Sequence, residues 1–257
     1  MSTYHTTRKV IAVSGAEARD FLQGLITNDV AALDHGLVYA ALLTPQGKFL
    51  ADFFLEQRGA TILIDVAAER APDLLKRLTM YRLRSPIGLE MTELKVSRGT
   101  GTRPDGAKAD PRHRDMGWRL IAEEALPEDG TVWPALHVAL AIPQTDIELT
   151  PDSYILEMGF ERLSGVDFRK GCFVGQEIVA RMKHKTELRK GLARVRIQGE
   201  ATPGTEITAQ GKPAGILHSR AGDEALAYLR FDRSKGPLEA GDADVELIEQ
   251  AITASSP

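Results

Sequence analysis

Cys172 is the only cysteine among the 257 residues of the chain. It lies in Lys170-Gly171-Cys172-Phe173-Val174-Gly175-Gln176-Glu177, immediately after Arg169. From Gln176 to Lys185 the residue spacing predicts a helix with its charges on one side. A thiol in a glycine-containing turn, beside two cations and at the mouth of a helix, sits where the thiolate is favoured. Against this stands the commonest fate of a free cysteine, a small buried hydrophobe. The rest of the chain has to separate the two.

Hydrolysis by a cysteine nucleophile needs a base within reach. His184 follows Cys172 by twelve positions, and a continuous helix from Gly175 to His184 carries it roughly 15 Å from the turn. His5, His35, His113, His137 and His218 stay open as fold-dependent partners, although none carries an adjacent motif. One cysteine permits no intramolecular disulfide and no cysteine set for zinc or an iron–sulfur centre held by this chain alone. There is no H-x-x-x-H or C-x-x-C spacing, and Gly99-Thr100-Gly101 lacks the remainder of a phosphate loop. The stretch from Arg162 to Arg196 is cationic. It reads either as a solvated helix face or as a surface for an anionic ligand tail, an RNA or an acidic partner.

The elements that must position these groups follow from periodicity and punctuation. Tyr4 to Val13 reads as a strand. Ser14 and Glu17 match a capping box ahead of a helix whose apolar face is Ala18, Phe21, Leu22 and Leu25. Thr27, Asn28 and Asp29 then form a turn. Leu37 to Thr44 and Phe49 to Glu56 flank Pro45-Gln46-Gly47-Lys48, a hairpin. Asp52 falls inside the second of these strands, where an acid faces solvent by default and otherwise needs a partner or a ligand. Thr61 to Val66 is a third strand, Ala67 to Leu83 a helix stopped by Pro86, and Ile87 to Val96 another strand. Ser97 to Met116, rich in glycine, proline and charge, reads as a mobile loop. A short strand from Gly117 to Ala122 and a short helix from Trp133 to Ile142 follow. Beyond Lys190 short β-type runs alternate with glycine turns, the pattern of a small barrel or sandwich.

This order implies an α+β protein in two parts, residues 1–188 and 189–257. A composition of 43% apolar and 26% charged residues is that of an ordinary soluble protein, and a net charge of −4 argues against a dedicated nucleic-acid coat. The N-terminus shows no apolar core of a leader and no apolar run is long enough to cross a bilayer, so the expected location is the cytoplasm and no membrane partner is expected.

Taken together, these stretches resemble the YgfZ family of folate-binding proteins. The signature is Lys170, Gly171, Cys172, Phe173, Gly175, Gln176 and Glu177, with Arg181 matching the arginine four positions beyond it. Phe21-Leu22-Gln23-Gly24 with Thr27-Asn28-Asp29-Val30, Pro45-Gln46-Gly47-Lys48 and Tyr81-Arg82-Leu83-Arg84 match further family stretches in order. The mitochondrial branch of the family acts in iron–sulfur cluster maturation, and the wider superfamily includes the aminomethyltransferase of the glycine cleavage system.

The resemblance implies an aminomethyltransferase-like fold, with intertwined N-terminal α+β modules and a small C-terminal β-barrel. It also implies tetrahydrofolate, or a one-carbon derivative, as ligand. Glu157 lines up with the carboxylate that accepts the pterin N–H edge, and Asp52 with the hairpin acid near the reactive folate nitrogens. Thr27, Asn28 and Asp29 would line the pocket, and Arg82, Arg84 or Arg181 would meet the glutamate tail. The function implied is a folate-binding accessory protein that supports assembly or repair of iron–sulfur clusters, with Cys172 as functional thiol and Lys170 activating it. Client or carrier proteins are its partners, tRNA-modifying radical enzymes being candidate clients. The alternative is a tetrahydrofolate-dependent aminomethyl or one-carbon transferase.

Overall fold

The computed structural model describes residues 8–185 and 188–252. Tyr4 to Thr7, which the sequence adds to the first strand, and His5 lie outside the described residues. The chain forms two compact units, residues 1–131 with 164–176 and residues 132–163 with 177–257. The strands of the barrel begin at Lys190, close to the division read from the sequence. The unit that contains them also takes in 132–163 and 177–188.

The first unit is built on five strands: β1 (Arg8–Ser14), β2 (Val38–Leu43), β3 (Phe49–Arg58), β4 (Thr61–Ala67) and β5 (Gly88–Met91). They form one antiparallel sheet in the order β2-β3-β4-β1-β5. All six residues of β2 are buried, so the sheet is covered on both faces. On one face α1 (Ala18–Gln23) and α2 (Ala71–Arg82) pack Ala18, Leu22, Leu74 and Leu78 against Val38, Ala40, Leu42, Phe53 and Leu55. On the other, Val10, Ala12 and Leu63 meet Val96 and Ile121 of a second, three-stranded sheet. That sheet consists of β6 (Lys95–Gly99), β7 (Lys108–Ala109) and β8 (Trp118–Ala122), in the order β6-β8-β7.

Between the two sheets lies a charged layer. Asp65 accepts from Arg8 Nε at 2.6 Å and from Arg119 Nε at 3.1 Å. Asp110 accepts from Arg112 Nε at 3.0 Å and Nη2 at 2.7 Å. The guanidinium carbons of Arg119 and Arg112 lie 3.9 and 4.7 Å from the centroid of the Phe54 ring. Each buried charge therefore has an opposite charge or an aromatic face against it, as burial demands.

This layer corrects the reading of Ser97 to Met116 as a mobile loop. Its glycines and prolines do punctuate the chain. Yet Asp110 and Arg112 are buried, and β7 and a single 3-10 turn, Arg114–Met116, lie within it. Two smaller corrections concern ends. Ser14 closes β1 and Glu17 takes the N-cap of α1 without a side-chain cap, so the capping box does not form. The stretch from Ile87 to Val96 is divided between β5 and β6.

In the second unit, β9 (Lys190–Gln198), β10 (Glu206–Ala209), β11 (Lys212–Ala221), β12 (Glu224–Arg230), β13 (Leu238–Ala240) and β14 (Ala243–Gln250) close into a barrel. Ala193, Val195, Ile197, Leu217, Ala227 and Leu229 are among the side chains that fill its core. Helix α3 (Trp133–Ala139) packs on β11. Helix α4 occupies Gln176–Lys185, the range the sequence predicts. Among the described residues no helix is long and apolar enough to cross a membrane.

Candidate functional site

The segment that carries Cys172 is tied to the first unit at both ends. Thr27, just beyond α1, is fully buried. Its Oγ1 donates to the carbonyl of Gly165 at 2.7 Å and accepts the Ala41 N–H at 2.8 Å. Its own carbonyl accepts the Asp167 N–H at 3.1 Å. Asn28 Nδ2 donates to the carbonyls of Tyr39 at 2.8 Å and Ser164 at 2.7 Å. The side chains of Thr27 and Asn28 thus bind the backbone of 164–165, and Asp29 caps the turn that follows through the Ala31 N–H.

Lys170 supplies the next anchor. Its Nζ donates to the carbonyls of Gln23, at 2.7 Å, and Ile26. These lie at and just after the end of α1, where helix carbonyls lack helical partners. Beyond the cysteine, Phe173 is buried with its ring centroid 5.0 Å from Lys170 Nζ, and Val174 packs on the core of the first unit. Gly175 then presses on the β2–β3 turn. Its φ is +86°, and a Cβ there would lie 2.7 Å from the Thr44 carbonyl oxygen. Between these anchors Gly171 and Cys172 are exposed, and nothing comes within 4 Å of where a Gly171 Cβ would stand. The buried-hydrophobe alternative for Cys172 is therefore excluded.

The cations of the signature differ in their surroundings. Lys170 is only 6% exposed. Burial lowers its pKa to about 8, while the charges of Asp29 and Asp167 pull it upward. The side chain of Arg169 is 93% exposed and reaches Asp167 at 3.5 Å. In α4, Gln176 N–H closes a turn on the Phe173 carbonyl. Glu177 pairs with Arg181 one helical turn on, at 2.9 Å.

Asp52 is 5% exposed, which corrects its default placement on a solvent face. Its Oδ2 accepts from Tyr39 Oη at 2.9 Å. Burial first, and then the negative charge of Asp52, push the Tyr39 phenol well above its ordinary range, so it remains a donor. In the same unit, Arg82 Nη1 reaches the Ile87 carbonyl at 3.4 Å. Arg84 is exposed beside a shallow cleft lined also by Glu17, Leu83, Ser85 and Pro86.

Glu157 belongs to the second unit, as does Arg181. Glu157 is 6% exposed. Oε2 accepts from Tyr228 Oη at 2.6 Å, and Oε1 lies 3.8 Å from Lys190 Nζ. The Glu157 carbonyl accepts the Leu192 N–H at 2.7 Å, fixing the residue to β9. Burial and the bond to Glu157 raise the Tyr228 pKa, keeping the phenol protonated. Tyr39 and Tyr228 were not visible as site residues in the sequence. Each is one tyrosine on an apolar strand, without a motif. Among the described residues no group of three or more His, Cys, Asp or Glu is placed to hold a metal ion.

The barrel matches a family model. Residues 189–254 fit the C-terminal β-barrel domain of CAF17. A human relative, the mitochondrial iron–sulfur cluster assembly factor IBA57, is 31% identical over 297 aligned positions. The alignment covers 97% of this chain and 82% of the relative. The chain belongs to the IBA57 family. The mouse IBA57 is 29% identical with the same coverage. A homologue from Mycosarcoma maydis is 29% identical over 92% of this chain and 75% of its own length. The glycine cleavage system aminomethyltransferase T from Bartonella henselae superposes with a TM-score of 0.71, covering 96% of this chain and 84% of that one at 12% identity. The fold is thus aminomethyltransferase-like, α+β with a six-stranded C-terminal barrel. The family resemblance is sharpened from YgfZ itself to the YgfZ-related IBA57 proteins. The expected cytoplasmic location is corrected, because these IBA57 relatives are mitochondrial proteins.

Proposed function

We propose that this IBA57-family chain supports assembly or repair of iron–sulfur clusters on client proteins. Cys172 is the group that meets the cluster, or the thiol of a carrier, brought by a partner. The observation that carries this reading is the Cys172 loop: an exposed thiol on a segment anchored before it by Thr27, Asn28 and Lys170 and after it by Gly175. A thiolate is a soft ligand for iron. One thiol cannot complete a cluster's ligand set, so the remaining ligands come from the partner. The test is replacement of Cys172 by Ala and by Ser in cells lacking the native gene. Cluster content of client enzymes is expected to fall to the level of the deletion. Full rescue by Cys172→Ala overturns the role of the thiol.

Tetrahydrofolate is the proposed ligand, with Glu157 meeting its pterin edge. A pterin edge presents an N–H and an NH₂ side by side, and a carboxylate can accept both. Glu157 fits that demand. It is buried, and Tyr228 fixes one oxygen. The other oxygen lies 3.8 Å from Lys190, beyond hydrogen-bond length. When bound, the folate supplies one-carbon chemistry or a reduced pterin, and the protein's part is to hold and orient it. A transferase reading draws on the aminomethyltransferase-like fold. Incubation with methylene-loaded tetrahydrofolate separates the two. Turnover supports the transferase, and a stoichiometric complex supports the accessory factor.

A further inference from the structure

We propose that Lys170 is a positioning residue: it fixes where Cys172 is presented and does not act by lowering the charge-state barrier of the thiol. The proposal deepens the assignment of Cys172 as the functional thiol and rests on it. Three observations carry it. First, the Lys170 ammonium is directed inward, to the carbonyls of Gln23 and Ile26, and stands 5.0 Å from the Phe173 ring. Cys172 is exposed, whereas the ammonium is buried on these carbonyls. Second, Lys170 is the nearest anchor on the upstream side of the thiol. Upstream of it, Thr27 and Asn28 hold only 164–167. Downstream, Gly175 is wedged against Thr44. Arg169, next to Lys170, is exposed and pairs with the neighbouring Asp167. Third, its acceptors belong to a turn itself tied to β2, through Thr27 N–H on the Ala41 carbonyl at 3.0 Å. The thiol is thereby registered to the five-stranded sheet. A partner that completes the ligand set of a metal cluster needs this, because ligand geometry tolerates only about half an ångström of misplacement.

The closing experiment exploits the single cysteine. A second cysteine is introduced at Met80, an exposed position on α2, and both thiols carry nitroxide labels in the full-length protein. The distance distribution by pulsed electron resonance is expected to be narrow in the Met80→Cys background. It is expected to broaden about twofold with Lys170→Met and to narrow again with Lys170→Arg, which restores donors to the carbonyls. In parallel, the alkylation rate of Cys172 is followed against pH in Lys170→Met without the second cysteine. Its midpoint is expected to stay where the unmodified protein has it. An unchanged distribution in Lys170→Met, or an upward shift of the alkylation midpoint, overturns the proposal. Should Lys170→Met fail to fold, the ammonium is read directly in the unmodified protein. Slow proton exchange at Lys170 Nζ, with couplings to the Gln23 and Ile26 carbonyls, supports the anchor, and rapid exchange overturns it. These readouts do not use cluster chemistry. Failure of Cys172→Ala to impair clients would therefore reject the thiol's function while leaving the anchoring measurement intact.

Discussion

Gly175 and Thr44 meet so closely that the contact admits no side chain: a Cβ on Gly175 would stand 2.7 Å from the Thr44 carbonyl oxygen. The glycine also holds φ at +86°, where an L-residue is strained. This contact couples the cysteine signature to the Pro45–Lys48 turn, two stretches far apart in sequence. Gly175→Ala is therefore expected to destabilise the protein by about 2–4 kcal/mol, from strain and displacement of the turn together. Urea unfolding measures it. A loss below about 0.5 kcal/mol would show that the turn yields freely.

Thr27 makes a second such coupling, with the segment upstream of the cysteine. Its hydroxyl is both donor, to Gly165, and acceptor, from Ala41. Thr27→Val keeps the shape and strands both buried partners. Each unsatisfied group costs about 1–3 kcal/mol. The variant is expected to lose about 2–5 kcal/mol, and Thr27→Ser to recover most of it, as checked by thermal and denaturant unfolding.

Much of this site was legible as residues and little of it as relationships. The glycines of the signature, the helix beginning at Gln176, the β2–β3 hairpin and the barrel all follow from local pattern. The role of Thr27 and Asn28 does not. Turn formers look alike whether they cap their own helix or bind a segment 136 to 138 residues on. The charged layer was misread for the same reason. Asp110 and Arg112 looked like loop charges because Phe54 and Arg119, which cover them, lie elsewhere in the chain. One signal was available. Asp65 in the apolar run Thr61–Ala67 and Arg119 beside Trp118 are isolated opposite charges on apolar strands, and such charges are buried in pairs.

That layer sets the acid response. Burial pushes Asp110 upward, but the charge and hydrogen bonds of Arg112 outweigh it and bring the carboxyl to about 2, from 3.8. A depressed acid contributes stability that is complete above its unfolded value and lost as pH falls through its folded one. Stability is expected to decline between about pH 4 and pH 2. Asp110→Asn removes this step. It also lowers stability at neutral pH by about 3–5 kcal/mol, because Arg112 is left buried without its partner. Unfolding titrations from pH 2 to 7 on both proteins check the sign and the window.

Lys170 adds a second step of the same sign at alkaline pH. Its folded pKa is about 8 against 10.5 for a free lysine. Between those values the unfolded chain retains a proton that the folded protein has released, so stability rises with pH. The buried ammonium is tolerated below pH 8 for the register it gives the loop. The unmodified protein is expected to gain stability relative to Lys170→Met from pH 8 to 10.5, with no such difference in slope below pH 7. Parallel denaturant curves at half-unit pH steps measure it. A constant difference across the range would mean that the lysine is not buried as a cation.

Glu157 and Tyr228 make the last prediction, which joins stability to ligand. Tyr228 Oη holds Oε2 of Glu157 at 2.6 Å, and burial of the carboxylate depends on that donor. Tyr228→Phe leaves Lys190 at 3.8 Å as the nearest cation and is expected to cost about 1–3 kcal/mol of stability. Glu157→Gln keeps the shape and an acceptor oxygen but removes the charge. If Glu157 accepts the pterin edge, both variants weaken tetrahydrofolate: Glu157→Gln by about tenfold to a hundredfold, since charge-assisted bonds are the stronger kind. Tyr228→Phe weakens it by less, because the carboxylate remains but is no longer oriented. Calorimetric titration with tetrahydrofolate under anaerobic conditions gives the order. Equal affinity in all three proteins would place the folate, if it binds, away from Glu157. A Tyr228→Phe effect larger than that of Glu157→Gln would make the phenol itself the contact.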